Sequence, residues 1–377
     1  MEIASPFGLK TALVHHWLVT MRGGERVLEA LGELFPSADL FTLVYDRSAI
    51  PAPLRNHQIS SSLLQHFPNP TAWYRHYLPF FPIATRCLDV TGYDLIISSD
   101  AAVVKGVRGD QHATHICYCH SPMRYVWSGF DTYYRSAGPL ARRALSAMRS
   151  RLCKWDYEAA QRVTYFVANS RNVQKRIKDC YGRDSVVIYP PVNTDLFSPP
   201  SDLSRSSVQR EGDFFLLVSQ LVPYKRIDLV VETFNRCGRP LVIVGDGPER
   251  KKLEKQAALN IRFAGSLPQR FVVRAMQQCR AFVFAGEEDF GIVIAEAQAC
   301  GKPAVAFGRG GATEIVDHGV TGILFQDQTV ESLLNALEEF DRTSFDASAI
   351  RLSALRFARP RFLSEFGTFV RDAINGS

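Results

Sequence analysis

The 377-residue sequence contains no long hydrophobic run, and no stretch approaches the roughly 20 apolar residues that a membrane-spanning helix requires. Its first residues, MEIASPFGLKTALVHHW, lack the order of a signal peptide, which is a basic start, an apolar block and a small-residue cleavage site. We therefore expect a protein that is neither inserted in a membrane nor exported, and we predict a cytoplasmic location.

Cysteine has no regular spacing in this chain. The eight cysteines stand at positions 87, 117, 119, 153, 180, 237, 279 and 300. Irregular spacing in a chain of this length indicates free thiols in a reducing compartment. The densest group, from His115 to His120, lacks a second ligand pair at zinc-finger spacing, and it alternates like a strand. We expect neither a disulfide framework nor a metal site.

Positive charge is in small excess and unevenly placed. Residues 1–195 contain 22 Lys and Arg against 16 Asp and Glu, whereas residues 196–377 contain 22 of each sign. The excess is either chance scatter or a face turned toward anionic lipid or a pyrophosphate-bearing acceptor. Because the charge is diffuse and no recognised module appears, we expect no nucleic-acid partner.

Short apolar runs alternate with amphipathic stretches, a pattern typical of parallel sheets covered by helices. The predicted strands lie in TALVHHW, DLFTLVY, YDLIISSD, HICYCH, YFVANS, SVVIYPPV, FFLLVSQL, PLVIVGDG, IRFAGS, AFVFAG, PAVAFG and GILFQ. The length suits two domains, and the polar, proline-containing stretch 190–213 is the clearest linker. Two doubly wound halves joined there predict a ligand cleft at the carboxyl ends of both sheets. The last stretch, 351–374, reads as a helix interrupted near Pro360, either a separate cap or a return to the first half.

The segment EDFGIVIAE, from Glu288 to Glu296, places two carboxylates eight positions apart around a Phe-Gly pair. If Gly291 opens a helix, the carboxylates are separated by about 12 Å along its axis. One can then reach a sugar and the other a ribose, while helix N–H groups face a phosphate. The alternative is a solvated acidic turn, 287–289, followed by an ordinary helix.

Two turns in the first half follow predicted strands. Gly23 and Gly24 form a glycine pair before a helix, suited to a phosphate, but they lack the three-glycine dinucleotide fingerprint and also fit a plain turn. In HSPMRYVW, His120 is either a structural histidine or a partner of a sugar hydroxyl. Arg124, Tyr125 and Trp127 beside it favour a sugar or a lipid-linked acceptor, because aromatic rings stack on sugars and arginine pairs with phosphate.

In the second half, SQLVPYKR follows a strand and ends in the adjacent cations Lys225 and Arg226. Cations on a loop that enters a helix are well placed for a diphosphate, although a solvated basic turn has the same pattern. GDGP (245–248) and GGATE (310–314) are further strand-to-helix turns.

Taken in order, SQLVPYKR, VGDGP, FAGSL, EDFGIVIAEAQACGKPAVAF, GGATE and GVTGILF resemble the family 4 glycosyltransferases, which have the GT-B fold. The likeness covers nearly the whole chain. HSPMRYVW, SQLVPYKRID and ALRFARPRF are similar to a bacterial branch that builds cell-surface polysaccharide, often with mannose donors. The resemblance implies two Rossmann-like domains, 1–195 and 212–360, a linker 196–211, and a C-terminal helix, 361–377, that returns to the first domain.

The resemblance also implies roles for single residues. His120 would lie beside the transferred sugar, Lys225 would stabilise the leaving diphosphate, and Glu288 would hold donor-sugar hydroxyls. The implied donor-binding residues are Gly23, Gly24, Arg226, Gly265, Leu267, Phe290, Gly291, Ile292 and Glu296. On the acceptor side they are Arg124, Tyr125 and Trp127. No metal or other cofactor is implied beyond the nucleotide-sugar co-substrate.

The family usually has arginine where this chain has Gln220, so binding of the diphosphate rests on Lys225 and helix N-termini, with Arg226 as a possible substitute. The implied reaction is a retaining, front-face transfer of mannose from GDP-mannose to a polyprenyl-diphosphate-linked saccharide. A UDP-sugar donor and a nucleotide-sugar-binding protein without activity are the alternatives. Segment 70–81 mixes aromatic and basic residues, and it either contacts an anionic membrane or lines an acceptor pocket. A predicted helix over 140–155 places Leu145, Met148, Leu152 and Trp155 on one stripe with arginines between them, and this stripe faces either a membrane surface or the core.

Overall fold

The computed structural model divides the chain into two α/β units. Unit 1 comprises Met1–Pro191 with Pro360–Ser377, and unit 2 comprises Val192–Arg359. The structure describes residues 8–124, 126, 127, 130, 134, 138–200 and 212–376, with backbone only at 75, 76, 140, 141, 144 and 145.

Unit 1 is built on a parallel sheet whose seven described strands lie in the order β3-β2-β1-β4-β5-β6-β7. The strands are β1 Thr11–His15, β2 Asp39–Thr42, β3 Ile59–Ser61, β4 Leu95–Asp100, β5 Thr114–Cys119, β6 Tyr165–Ala168 and β7 Ser185–Val187. The order reverses between β1 and β4, which is the switch point of a doubly wound sheet. All five residues of β1 and all six of β4 are buried, as expected for parallel strands covered on both faces.

Unit 2 repeats this arrangement with six described parallel strands in the order β10-β9-β8-β11-β12-β13. They are β8 Phe215–Val218, β9 Leu241–Val244, β10 Ile261–Gly265, β11 Ala281–Phe284, β12 Ala304–Phe307 and β13 Gly322–Phe325. Its switch point lies between β8 and β11. The predicted architecture of two doubly wound parallel sheets is confirmed.

The connections between strands are helical in both units. Within the described residues, the α-helices are α1 Gly23–Leu34, α2 Pro70–Trp73, α3 Phe81–Arg86, α4 Pro139–Gln161, α5 Arg171–Tyr181, α6 Ile227–Cys237, α7 Arg250–Gln256, α8 Gln269–Gln278, α9 Ile292–Ala299, α10 Ala312–Ile315, α11 Val330–Arg342, α12 Ala347–Leu355 and α13 Arg359–Asn375. Short 3-10 turns occupy Arg47–Ala49, Ala52–Leu54, Leu63–His66, Tyr74–Phe80, Val104–Gly106 and Pro223–Lys225. Over the described ranges, no helix combines the length and the apolar character needed to cross a bilayer.

The C-terminal helix α13 packs on unit 1. Phe362, Phe366 and Val370 are fully buried in one cluster with residues of β1 and α1. The Phe362 and Tyr118 rings meet edge to face, with 5.8 Å between centroids. Two predictions were made for the C-terminal stretch, and the one in which the helix returns to the first half is correct. The helix begins at Arg359, and the next residue is Pro360, which helices accept in their first turn.

The chain passes from unit 1 to unit 2 earlier than residue 195, the predicted end of the first domain. Val192 forms a parallel bridge with Ala358, and Phe197 is 1% exposed. The Arg351 guanidinium donates to the carbonyls of Phe197 and Ala299, at 3.2 and 2.6 Å. These contacts fasten the first residues of the predicted linker, 196–200, onto unit 2, while 201–211 lies outside the described residues.

Helix α4 contains the predicted amphipathic stripe. Leu152 is buried, and Met148 and Trp155 pack partly buried against the core of unit 1. A Cβ on Gly106 would lie 2.6 Å from the Trp155 ring, so the helix approaches that turn closely. This part of the stripe serves the core rather than a membrane, and the side chain of Leu145 lies outside the description.

Candidate active site

The loops that follow strands at the two switch points, or one strand away from them, carry most of the predicted site residues. In unit 1, the loop after β1 leads to Gly23 and Gly24, and His120 directly follows β5. In unit 2, Lys225 follows β8 and Glu288 follows β11. Doubly wound folds bind ligands outside the carboxyl ends of strands at such points, where the crossover helices diverge.

The GDGP turn supports the loop between β8 and α6. Leu221 N–H donates to the Asp246 carbonyl at 3.0 Å, and Glu249 N–H donates to the Leu221 carbonyl at 3.2 Å. Gly245 has φ 134°, and a Cβ there would lie 1.8 Å from the Ser219 carbonyl oxygen. Only glycine permits this approach, so the turn has a supporting role that its sequence pattern did not specify.

Lys225 and Glu288 lie 63 residues apart in the sequence and form an ion pair at the carboxyl edge of unit 2. Their side chains are 14% and 20% exposed, so the pair is mostly shielded from solvent but a ligand can still contact it. The Lys225 ammonium also lies 5.1 Å from the centroid of the Tyr224 ring and 5.6 Å from that of Phe284. Because the ammonium lies beside a carboxylate and two aromatic rings, a small movement is enough for it to contact a bound anion.

The loop that carries Glu288 is fixed by the two glycines of GGATE. Gly311 N–H donates to the Glu288 carbonyl at 2.9 Å. Gly310 has φ 65°, and a Cβ there would lie 2.4 Å from the Glu288 carbonyl oxygen. This segment therefore holds the acidic loop in place. Glu287, Glu288 and Asp289 are all half-buried, which disagrees with a fully solvated acidic turn.

Helix α9 starts as the sequence predicted. Gly291 has φ 95° and precedes Ile292, the first helical residue. Phe290 is 3% exposed and meets the Phe357 ring edge to face at 5.2 Å. Glu296 is 4% exposed in the second turn, so of the two carboxylates Glu288 is the more accessible. Their predicted contacts with sugar and ribose stay predictions.

Arg226 adopts a left-handed backbone conformation, with φ 53° and ψ 39°. Its guanidinium interacts with Asp228 at 3.3 Å and with the Gln328 amide oxygen at 3.4 Å. These contacts hold it toward Asp228 in the first turn of α6 and toward Gln328, which precedes α11. Gly265 and Leu267 lie at the end of β10, the outer strand of the sheet, two strands from β8.

In unit 1, His120 and Gly24, which are both predicted site residues, lie close together. A Cβ on Gly24 would lie 3.5 Å from His120 Nε2 and 3.6 Å from His15 Cε1. His120 Nε2 also lies 2.8 Å from Ser99 Oγ at the end of β4. Sequence reasoning missed Ser99 and His15, because only the register of β1 beside β4 brings them next to the residue after β5.

The three predicted acceptor-side residues have different surroundings. Trp127 is partly buried, and its ring N–H donates to Asp156 Oδ2 at 2.8 Å. The indole thereby joins the packing against α4 and α5, and its predicted contact with an acceptor stays a prediction. Arg124 is half-buried, and Tyr125 lies outside the described residues.

Burial shifts the pKa values of several groups at this edge of unit 1. Burial lowers the pKa of His16 to about 4 and holds the pKa of His15 well below its usual value, so both rings are neutral near pH 7. Burial raises the pKa of Glu25 to about 7, although its carboxylate accepts the Arg22 N–H at the start of α1. Among the described residues, no three His, Cys, Asp or Glu side chains are grouped as a metal ion would require.

Unit 1 is expected to lose stability as the pH falls from about 6.5 to about 4. Burial lowers the pKa of His115 to about 4, as it does for His16, so the unfolded chain takes up protons that the folded unit excludes. Each histidine then costs about 3 kcal/mol by pH 4. Glu25 acts in the opposite direction. Its pKa is raised to about 7, so protonation below pH 7 relieves the cost of burying its charged carboxylate. This gain in stability offsets the loss from only one of the histidines.

Amide hydrogen exchange of β4 and β5 peptides between pH 7 and pH 4 measures this loss of stability, after correction for the intrinsic pH dependence of exchange. His115→Gln is expected to flatten the loss, and Glu25→Gln is expected to steepen it. Equal protection of these strands at pH 6.5 and pH 4.5 would contradict the assignment.

Two family models match the chain in succession. The model described as Glycosyltransferase Family 4 matches residues 21–196, and the model described as Glycosyl transferases group 1 matches residues 202–344. Together they cover most of the chain, and they follow the division into unit 1 and unit 2 closely.

Curated relatives include several named glycosyltransferases. A GDP-mannose-dependent alpha-(1-6)-phosphatidylinositol monomannoside mannosyltransferase from Mycolicibacterium smegmatis is 27% identical over 275 residues, which are 62% of this chain and 71% of that protein. A D-inositol 3-phosphate glycosyltransferase from Frankia alni is 30% identical over 187 residues, which are 43% of this chain and 46% of that protein. Apart from the first of these, the chain spans about half the length of the curated relatives it matches.

Solved structures share the fold along nearly the whole chain. HepE from Anabaena in complex with UDP superimposes with a TM-score of 0.70 at 19% identity, over 96% of this chain and 100% of that one. Sucrose-phosphate synthase from Thermosynechococcus elongatus gives a TM-score of 0.68 at 17% identity, over 98% and 100%. The GT-B fold predicted from the sequence is thereby confirmed. With glycosyltransferase family models matched in both units and the fold shared with these proteins, the chain belongs to the family 4 glycosyltransferases of GT-B fold.

Proposed function

We propose that the protein is a retaining glycosyltransferase that moves mannose from GDP-mannose to a polyprenyl-diphosphate-linked saccharide in bacterial surface-polysaccharide synthesis. The observation that carries the proposal is the Lys225–Glu288 ion pair at the switch point of unit 2. It brings one cation and one carboxylate together at the edge of the sheet where nucleotides bind in such folds, and this pair suits a diphosphate and sugar hydroxyls.

The proposed chemistry uses these two groups in different ways. The bond between the sugar C1 and the diphosphate oxygen breaks, and the acceptor oxygen bonds to C1 on the same face. The departing diphosphate takes the acceptor's proton. The Lys225 ammonium moves partly away from Glu288 and stabilises the negative charge that develops on the leaving oxygen. Glu288 accepts hydrogen bonds from sugar hydroxyls.

The choice of GDP-mannose as donor is supported by relatives. The proteins from Mycolicibacterium smegmatis and Mycobacterium tuberculosis are named as GDP-mannose-dependent mannosyltransferases, at 27% and 30% identity. A UDP-sugar is the second candidate, because the structural neighbour HepE was solved with UDP and with UDP-glucose. The two candidates differ in the base and the sugar, and both use the same diphosphate chemistry.

A thermal-shift panel of GDP, UDP, ADP and GDP-mannose tests the donor. A ligand at 100 times its dissociation constant adds about 2.7 kcal/mol to the free energy of unfolding, which is readily measured. We expect GDP and GDP-mannose to raise the melting temperature most. Release of GDP from GDP-mannose then separates an enzyme from an inactive binding protein. No shift with any nucleoside diphosphate would overturn the proposal, and a preference for UDP would select the second donor.

The acceptor side of the proposal includes a peripheral contact with anionic membrane. In unit 1, Trp73, Phe80 and Ile83 are 50%, 47% and 57% exposed, whereas Tyr74 between them packs against Trp17 in the core. Exposed aromatic and aliphatic side chains on one short segment suit a lipid surface or the lipid part of an acceptor.

Sedimentation with anionic vesicles tests this contact, and Trp73→Ser with Phe80→Ser is expected to reduce it. Leu259, which is fully exposed in unit 2, provides the matched control as Leu259→Ser. Equal sedimentation of both variants and the parent protein would remove this segment from the proposal.

A further inference from the structure

Ser99 lies between two histidine rings at the carboxyl edge of unit 1. Its hydroxyl oxygen is 3.1 Å from His15 Nδ1 and 2.8 Å from His120 Nε2. Ser99 and His15 are both fully buried, and the three residues come from three neighbouring elements, the ends of β1 and β4 and the residue after β5. A serine hydroxyl has a single proton, so it can donate to only one of the two rings.

The other ring nitrogen of His15 decides which way the hydrogen bonds run. His15 Nε2 is buried, and none of the described residues gives it a hydrogen-bond partner. A neutral imidazole carries one N–H, either on Nε2 or on Nδ1. A proton on Nε2 would be a buried donor without an acceptor, which proteins tolerate less well than a buried acceptor without a donor. His15 therefore carries its proton on Nδ1 and donates it to Ser99.

The direction of the remaining bond follows. Ser99 Oγ could also accept from His120, but its own buried proton would then have no acceptor among the contacts of the described residues. The Ser99 proton therefore points to His120, where Nε2 is the acceptor. His120 in its neutral form then carries its proton on Nδ1. Burial lowers the pKa of His15 well below the usual value, so the first ring in this chain of hydrogen bonds is neutral near pH 7.

We propose that Ser99 is the positioning residue that fixes the tautomer and ring plane of His120, so that His120 presents Nδ1–H as a hydrogen-bond donor. This inference rests on the proposed function, in which His120 lies beside the transferred sugar. A donor suits a sugar hydroxyl oxygen, and it leaves proton removal from the acceptor to the departing diphosphate. His120 then orients the sugar and does not act as the general base.

The neighbouring residue Ser98 offers a matched control. Its side chain lies on the opposite face of β4, since side chains alternate along a strand. Ser98 is equally buried, and its hydroxyl lies 2.8 Å from His115 Nε2. Replacing either serine removes one buried serine–histidine hydrogen bond from the same strand, but only Ser99 reaches His120.

The experiment combines ¹⁵N NMR of histidine-labelled full-length protein with turnover of GDP-mannose, and His120→Gln identifies the His120 signals. We expect His120 to be protonated on Nδ1 in the parent protein and in Ser98→Ala. In Ser99→Ala, the Nε2-protonated tautomer should appear and kcat should fall roughly 10- to 100-fold, the usual range for outer positioning groups. KM for GDP-mannose should change little, and Ser99→Thr should restore both the tautomer and kcat.

The tautomer is read without any enzymatic activity, so it separates this inference from the proposed function. A parent protein with His120 protonated on Nε2, or an unchanged tautomer in Ser99→Ala, would overturn the inference even if the enzyme is active. Absence of turnover in the parent protein, with the Nδ1 tautomer present and sensitive to Ser99→Ala, would instead contradict the choice of donor or the proposed activity.

Discussion

Replacing Lys225 by alanine is expected to lower the turnover of GDP-mannose by roughly 100- to 1,000-fold, the usual cost of removing one preorganised group that stabilises developing negative charge. Lys225 is the cation paired with Glu288, and Arg226, the next residue, is directed toward Asp228 and Gln328. The chain has Gln220 where the family resemblance implies arginine, so in the proposed reaction Lys225 is expected to carry more of the leaving-group charge than it would beside that arginine.

The fold is expected to survive this substitution. Both side chains of the pair retain some exposure, so Glu288 can be hydrated when the lysine is absent. Lys252→Ala is the matched control in the same unit, because this exposed lysine lies 3.6 Å from Glu249 in a surface ion pair. GDP release from GDP-mannose measures turnover, and the melting temperature without ligand reports the fold. Near-normal turnover in a folded Lys225→Ala protein would remove the lysine from the proposed chemistry.

Most of the fold was accessible to sequence reasoning, because buried parallel strands are short, nearly continuous apolar runs. All twelve predicted strands are present, with ends shifted by a few residues. The strand that was missed, β3 (Ile59–Ser61), is three residues long, half-buried and two-thirds serine. It lies at the edge of its sheet, where pairing with β2 makes a strand without an apolar pattern.

The candidate site was predictable only in part. Lys225 and Glu288 were recognised separately, and their contact follows from the position of β11 beside β8. Ser99 and His15 have no motif of their own, since two buried polar residues become related only through a contact spanning 84 residues of sequence. The contact of Trp127 with Asp156 could not be predicted for a similar reason. An aromatic residue next to a predicted sugar site has the same sequence signal whether its ring faces a ligand or donates to the core carboxylate of Asp156.

That core carboxylate belongs to a buried ion cluster. Lys105 Nζ lies 3.1 Å from Asp100 Oδ2 and 2.5 Å from Asp156 Oδ1, and all three side chains are fully buried. Burial alone would lower the pKa of Lys105, but the two carboxylates outweigh it and hold that pKa above its usual value. Asp156 Oδ2 also accepts from the Tyr181 hydroxyl at 2.7 Å, so the cluster ties β4 to α4 and α5.

Lys105→Met is expected to destabilise unit 1 by about 3–5 kcal/mol, because two carboxylates are then left buried without their cation. Asp156→Leu should cost a similar amount, since it leaves the Trp127 and Tyr181 donors without an acceptor. Lys178→Met, at an exposed pair with Asp184, should cost less than about 1 kcal/mol. The free energy of unfolding of each variant is measured by urea titration, with the amide-exchange protection of β4 as the signal for unit 1. If Lys105→Met costs no more than Lys178→Met, the buried cluster does not hold these elements together, and the packing of apolar side chains alone must fix the strand that carries Ser99.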